Sequence, residues 1–139
     1  MAFLQGKKIL ITGMISDRSI AYGIAKACHE QGAELAFTFA VDKLEERVRK
    51  LANGLGSDLV FHCDVQSDEE IAGAFAELGK HWDGLDGLVH SIAFAPKEAL
   101  SGDFLDSITR EAFNTAHEVS AYSLPALAKA ARPMMQGRN

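Results

Sequence analysis

Short apolar runs alternate with helical stripes along this chain, and that alternation constrains the fold more than any other feature. Ile9-Leu10-Ile11, ending at Thr12-Gly13, reads as strand 1. Residues 35–39, 59–63 and 85–92 read as strands 2, 3 and 4. Between them, apolar positions recur at helical spacing: Ile20, Ile24, Ala27 and Cys28 before a stop at Gly32, then Leu44, Val48 and Leu51, then Ile71, Ala74, Phe75 and Leu78. Strands that are continuously apolar are covered on both faces, which is the habit of a parallel sheet between helices. Right-handed crossovers then give an α/β fold with a doubly wound, Rossmann-like parallel sheet in the order 3-2-1-4. After strand 4 a loop with Pro96 and Gly102 leads into a helical pattern from about 109 to 132, rich in small residues, which Pro125 is expected to kink. A sheet that stops at strand 4 carries a bare parallel edge, so the sheet reads as incomplete.

Local signals refine this outline. Asp42 with Glu45, and Ser67 with Glu70, have the spacing of capping boxes. Trp82 reads as core packing with Phe75 and Leu78, and His62, His90 and His117 as core histidines. The 139 residues, 47% hydrophobic, suffice for one domain with a real core and not for two. A formal charge of -5 without a long Lys/Arg run argues against nucleic-acid or membrane-surface partners. No apolar stretch reaches the roughly 20 residues of a membrane span, and no signal-peptide pattern opens the chain, so a cytoplasmic protein is expected. Cys28 and Cys63, neither in a C-x-x-C pair, read as buried reduced thiols. No His/Cys/Asp cluster has metal-ligand spacing, so no metal is expected.

In an open α/β sheet, ligands bind beyond the carboxyl ends of the strands, where the winding reverses. Here that point lies between strands 1 and 4, so the turn after Gly13 and the segment Ser91-Ile92-Ala93-Phe94-Ala95-Pro96 face one crevice. Counted from Gly13, the turn lacks the other two glycines of a G-x-G-x-x-G fingerprint: Ile15 and Arg18 stand in their places. A helix N-terminus can still receive a pyrophosphate, with Ser19 as its cap and Gly23 allowing close approach to strand 1; a plain strand-turn-helix is the other reading. After strand 2, residues 39–43 hold no arginine for a 2′-phosphate, which favours NADH, while Lys43 and Arg18 keep NADPH open. Asp64, ending strand 3, can accept from an adenine amino group or simply cap the turn before Ser67.

Several of these segments together resemble one family. Ile11-Thr12-Gly13 with Ser19-Ile20-Ala21-Tyr22-Gly23, Cys63-Asp64-Val65, and His90-Ser91-Ile92-Ala93-Phe94-Ala95-Pro96 are similar to bacterial enoyl-acyl-carrier-protein reductases of the FabI type, divergent short-chain dehydrogenase/reductases. The resemblance runs the whole length and implies NADH-dependent reduction of trans-2-enoyl thioesters on acyl carrier protein, in fatty-acid synthesis, by a homotetramer. It implies cofactor contacts at Gly13, Ser19, Ile20, Asp64, Val65, Ser91 and Ile92, with Ala95 beside the substrate. The family's Tyr-x6-Lys pair follows a fifth strand. Tyr122 and Lys129 match its spacing but lie in the preceding helix with Pro125 between them, so no catalytic residue is assigned within this chain. Residues 1–139 are therefore expected to be the N-terminal part of a single dinucleotide-binding domain, inactive alone. A stand-alone nucleotide-binding or regulatory module and another short-chain ketone reductase are the alternatives.

Overall fold

The computed structural model describes residues 2–138. Strand β1 (Lys8–Ile11) leads into helix α1 (Ile20–Glu30), β2 (Glu34–Phe39), a 3-10 turn (Asp42–Leu44), α2 (Glu45–Gly54), β3 (Val60–His62), α3 (Asp68–Leu78) and β4 (Gly87–Val89). A 3-10 turn (Lys97–Leu100), α4 (Phe104–Ser107), α5 (Arg110–His117), a π-turn (Glu118–Tyr122) and α6 (Ser123–Met135) complete the order. All pairings are parallel, in the order β3-β2-β1-β4, with Ile11 opposite both Phe37 and Val89. The expected topology is the observed one.

Alternation along the strands sorts the core into two layers. Ile9, Ile11 and Phe37 face one way and pack with Ala21 and Ala25 of α1 and Val48 and Ala52 of α2. Leu10 and Ala36 face the other way and pack with Ile71, Phe75 and Leu78 of α3, Trp82, and Leu127 and Ala131 of α6. Helices thus cover both faces, as a parallel sheet requires.

Some local expectations are corrected. The buried stripe of α1 is Ala21 and Ala25, not the isoleucines, and Ile20 is 78% exposed. Small residues let the helix lie close to the sheet, so the stripe is rotated from where the larger side chains suggest. Asp42 does not cap α2; it opens the 3-10 turn, and its side chain bonds no backbone N–H there. Strand 4 is shorter than the apolar run: its pairing with β1 ends at Val89, opposite Ile11, the last residue of β1. The kink expected at Pro125 appears before it, as the π-turn, where the Ser123 N–H reaches back to Glu118 O. Pro125 offers no donor to the preceding turn, so the ladder resets there.

The near end of β4 is fastened by charge. Asp86 accepts from Lys8 N at 2.8 Å and from Arg138 Nε and Nη2 at 3.0 and 3.1 Å. The Arg138 hydrogen bonds, with the Lys8 amide and nearby positive charge, draw its carboxyl down to about 2, against the opposing effect of burial. A carboxyl lowered in the folded state stabilises above its unfolded value of about 3.9, and that contribution is lost as pH falls towards about 2. Asp86→Asn is expected to cost about 1–2 kcal/mol at neutral pH and to flatten the acid limb of a urea-midpoint titration.

Candidate functional site

The carboxyl ends of β1 and β4 are stitched by one side chain. Thr12, fully buried, donates through Oγ1 to Val89 O at 2.9 Å and accepts from Ser91 N at 3.4 Å, while its own N–H bonds Val89 O at 3.0 Å. Gly13 follows with φ +83°, and a β-carbon there would overlap the Ser91 carbonyl oxygen and sit 2.5 Å from its carbon. The two loops expected to share a crevice are therefore in backbone contact. Gly13 is glycine for two independent reasons, its left-handed φ and the approach of Ser91.

The turn between Gly13 and α1 is held from within. Ser19 stands at the N-cap position, but its Oγ accepts from Ile15 N and Ser16 N, at 3.1 and 3.0 Å, and makes no cap bond to α1. Ser16 Oγ in turn accepts from Arg18 N at 3.2 Å. The first N–H groups of α1 are thus left without a capping side chain, and no acidic residue occupies its first turn. This is the arrangement that favours an anion at a helix N-terminus. Gly23 does not serve close packing: a β-carbon there meets nothing within 4 Å.

A cavity of about 340 Å³ opens where these loops meet the ends of β2 and β3. Gly13, Asp64, Val65, Ser91 and Ile92 line it, together with Phe39, Ala40, Cys63 and Val119. Ser19, Ile20 and Ala95 are not in its wall; Ser19 and Ile20 begin α1, and Ala95 is half-buried beyond Phe94. Larger depressions of about 630 and 560 Å³ border α2, one lined mainly by charged side chains such as Glu45, Arg49 and Lys50, the other shared with Ser16, Asp17 and Arg18 of the turn after β1. Neither includes a residue of the loop after β4.

Each lining group has a definite state. Asp64 Oδ1 accepts from Gln66 N at 2.9 Å and Gln66 Nε2 at 3.4 Å, so one carboxylate oxygen serves the local turn. Burial, then the Glu70 and Asp64 carboxylates, push the Cys63 thiol up to about 11, and burial raises Cys28 as well. Both are free thiols held protonated, which makes them poor nucleophiles. Cys63 is buried and Cys28 half-buried.

The loop after β4 is clasped by the π-turn, which residue spacing did not reveal. Ser120 Oγ accepts from Phe94 N at 3.0 Å and donates to Phe94 O at 3.1 Å. The buried Ser123 hydroxyl donates to Val119 O at 2.6 Å, leaving the His90 Nε2–H to donate to Ser123 Oγ at 2.7 Å. His90 is thus half-buried on a side-chain partner, not on backbone. His62 and His117 are exposed and not core histidines; His117 stacks on Phe113. The Ser67–Glu70 box is half formed. Ser67 Oγ accepts from Glu70 N, but the Glu70 carboxylate turns to Asp64 N and His62. Tyr122 and Lys129 are exposed and neither lines the cavity. Among the described residues no group of three His, Cys, Asp or Glu side chains could hold a metal, and no helix is long and apolar enough to cross a membrane.

Comparison with known proteins agrees with this architecture. The family model described as enoyl-(acyl carrier protein) reductase matches residues 13–139. The chain is 85% identical over 139 residues to the enoyl-[acyl-carrier-protein] reductase [NADH] FabI of Neisseria meningitidis, covering all of this chain and 53% of that protein. To the Escherichia coli protein of the same name it is 56% identical over 135 residues, 97% of this chain and 52% of the relative. The crystal structure of the Aquifex aeolicus enoyl-[acyl-carrier-protein] reductase (NADH) superposes with a TM-score of 0.94 at 54% identity, covering 98% of this chain and 54% of that one. FabI from Candidatus Liberibacter asiaticus superposes at 0.91 with 36% identity, covering 95% and 51%. The chain spans about half the length of the curated relatives it matches. With the family model matching nearly its whole length, the chain belongs to the enoyl-(acyl carrier protein) reductase family.

Proposed function

We propose that this chain is the cofactor-binding N-terminal part of an NADH-dependent reductase of trans-2-enoyl thioesters carried on acyl carrier protein, within fatty-acid synthesis. The observation that carries this reading is the cavity at the β1/β4 switch point, where Gly13, Asp64, Val65, Ser91 and Ile92 converge. The residues present fit a dinucleotide. The uncapped start of α1, at Ser19 and Ile20, suits a pyrophosphate. The Asp64 carboxylate keeps acceptor capacity for an adenine amino group, with Val65 beside it in the wall. Ser91 and Ile92 supply the opposite wall, and Ala95, half-buried next to Phe94, is read as the residue beside the acyl substrate. When bound, NADH supplies the hydride that reduces the double bond.

The donor for the developing enolate oxygen is assigned to a Tyr-x6-Lys pair outside residues 1–139. This is supported by relatives about twice as long and by the placement of Tyr122 and Lys129 away from the cavity wall. The parent protein is read as a cytoplasmic homotetramer, with the exposed Phe113, Tyr122 and Leu124 around the π-turn available for packing. The 139-residue chain mixed with NADH and a crotonyl thioester is expected to show no NADH oxidation, and the full-length protein to show turnover. Turnover by the chain alone, or none by the full-length protein, would contradict the assignment.

A further inference from the structure

His62, at the end of the edge strand β3, ties together two loops that line the cavity, from outside its wall. Its Nε2 lies 3.1 Å from Ala40 O and 3.5 Å from Asp42 Oδ1, on the loop after β2. Its Nδ1 lies 3.0 Å from Glu70 Oε2, and that same oxygen accepts from Asp64 N at 2.6 Å, on the loop after β3. The ring also meets Phe39 edge-on, with centroids 5.2 Å apart. Phe39, Ala40 and Asp64 all line the cavity. One imidazole therefore spans both loops on the side where the adenosine is read to lie.

Every atom facing the two ring nitrogens is an oxygen acceptor: one carbonyl and two carboxylates. The hydrogen bond is the one to Ala40 O, and the Asp42 and Glu70 carboxylates lie within ion-pair distance of the ring. The surroundings are acidic from three elements, with Asp42 after β2, Asp64 after β3 and Glu70 on α3. Arg49 of α2 is engaged by Glu45 at 2.9 Å and reaches Val60 O of β3 at 3.4 Å.

We propose that His62 is a positioning residue for the cofactor: it fixes the loops after β2 and β3 by bridging Ala40, Asp42 and Glu70. This rests on the reading of the cavity as the NADH site. The nucleotide meets a preformed wall when the clasp is closed, and orders that wall itself when it is open.

The test is the dissociation constant of NADH for the full-length protein, measured beside kcat at saturating NADH. His62→Leu is expected to bind NADH about fivefold more weakly than wild type, with kcat at saturating NADH preserved. Glu70→Gln keeps an acceptor for Asp64 N but loses the charge that faces His62; it is expected to weaken NADH binding as well, and it decides the matter if His62→Leu melts early. Wild-type affinity in both variants would overturn the clasp. Failure of the wild type to bind NADH would instead overturn the cavity assignment, and the clasp with it.

Discussion

Replacing Gly13 with alanine is expected to destabilise the chain by about 3 kcal/mol or more and to abolish NADH binding by the full-length protein. Two costs add. At φ +83° a side chain sits in the left-handed region, costing about 1–2 kcal/mol. The new β-carbon also overlaps the Ser91 carbonyl, and the obstacle is backbone, so no rotamer relieves it. Ser91 cannot retreat freely, because Thr12 Oγ1 holds both Val89 O and Ser91 N. The strands at the switch point must separate, and the cavity is built on their separation. Gly23→Ala is the control. It lies in α1 with open space around it and no unusual φ, so it is expected to be neutral or stabilising by about 0.5–1 kcal/mol. Urea denaturation of both variants checks the contrast.

The second large effect is expected at Phe37. Phe37→Ala should cost about 3–5 kcal/mol, because an aromatic ring with no exposed surface is removed from the centre of the sheet. Phe37 pairs with Ile11 on one side and Val60 on the other, and its layer joins Ala21 of α1 to Val48 of α2. These helices close on the ring from a fixed sheet, so little collapse into the hole is available. Since a domain of this size is typically stable by about 5–15 kcal/mol, one such loss takes a large share. A shift in the urea midpoint with an unchanged m-value is the expected signature.

What could be read from residues alone follows from what each pattern reports. The apolar runs report burial on both faces, so strand order, crossovers and the place of the crevice came through. Periodicity reports size less well than position. Ile20 and Ile24 outweigh Ala21 and Ala25 in any hydrophobic pattern, yet the alanines face the sheet because only small residues fit so near it. Spacing also proposes partners without choosing among competitors. Glu70 has the interval of a capping box, but Asp64 N and His62 compete for its carboxylate and win. Ser19 has the position of a cap, yet two amides of its own turn take its hydroxyl. The π-turn arises from the meeting of Pro125 with Ser120 and Ser123, whose partners Phe94 and His90 are remote in sequence, so no local signal announced it. His62 was hidden for a like reason: its role depends on Ala40, Asp42 and Glu70, which only the β2–β3 pairing brings together.

The central claim is that the loops after β1 and β4, joined at Gly13 and Ser91, form one NADH site with the end of β3. Hydrogen exchange of the full-length protein with and without NADH tests it most directly. Protection on adding NADH is expected to concentrate in residues 13–20, 64–66 and 91–95. Protection confined to α2, or none in the loops after β1 and β4, would contradict it.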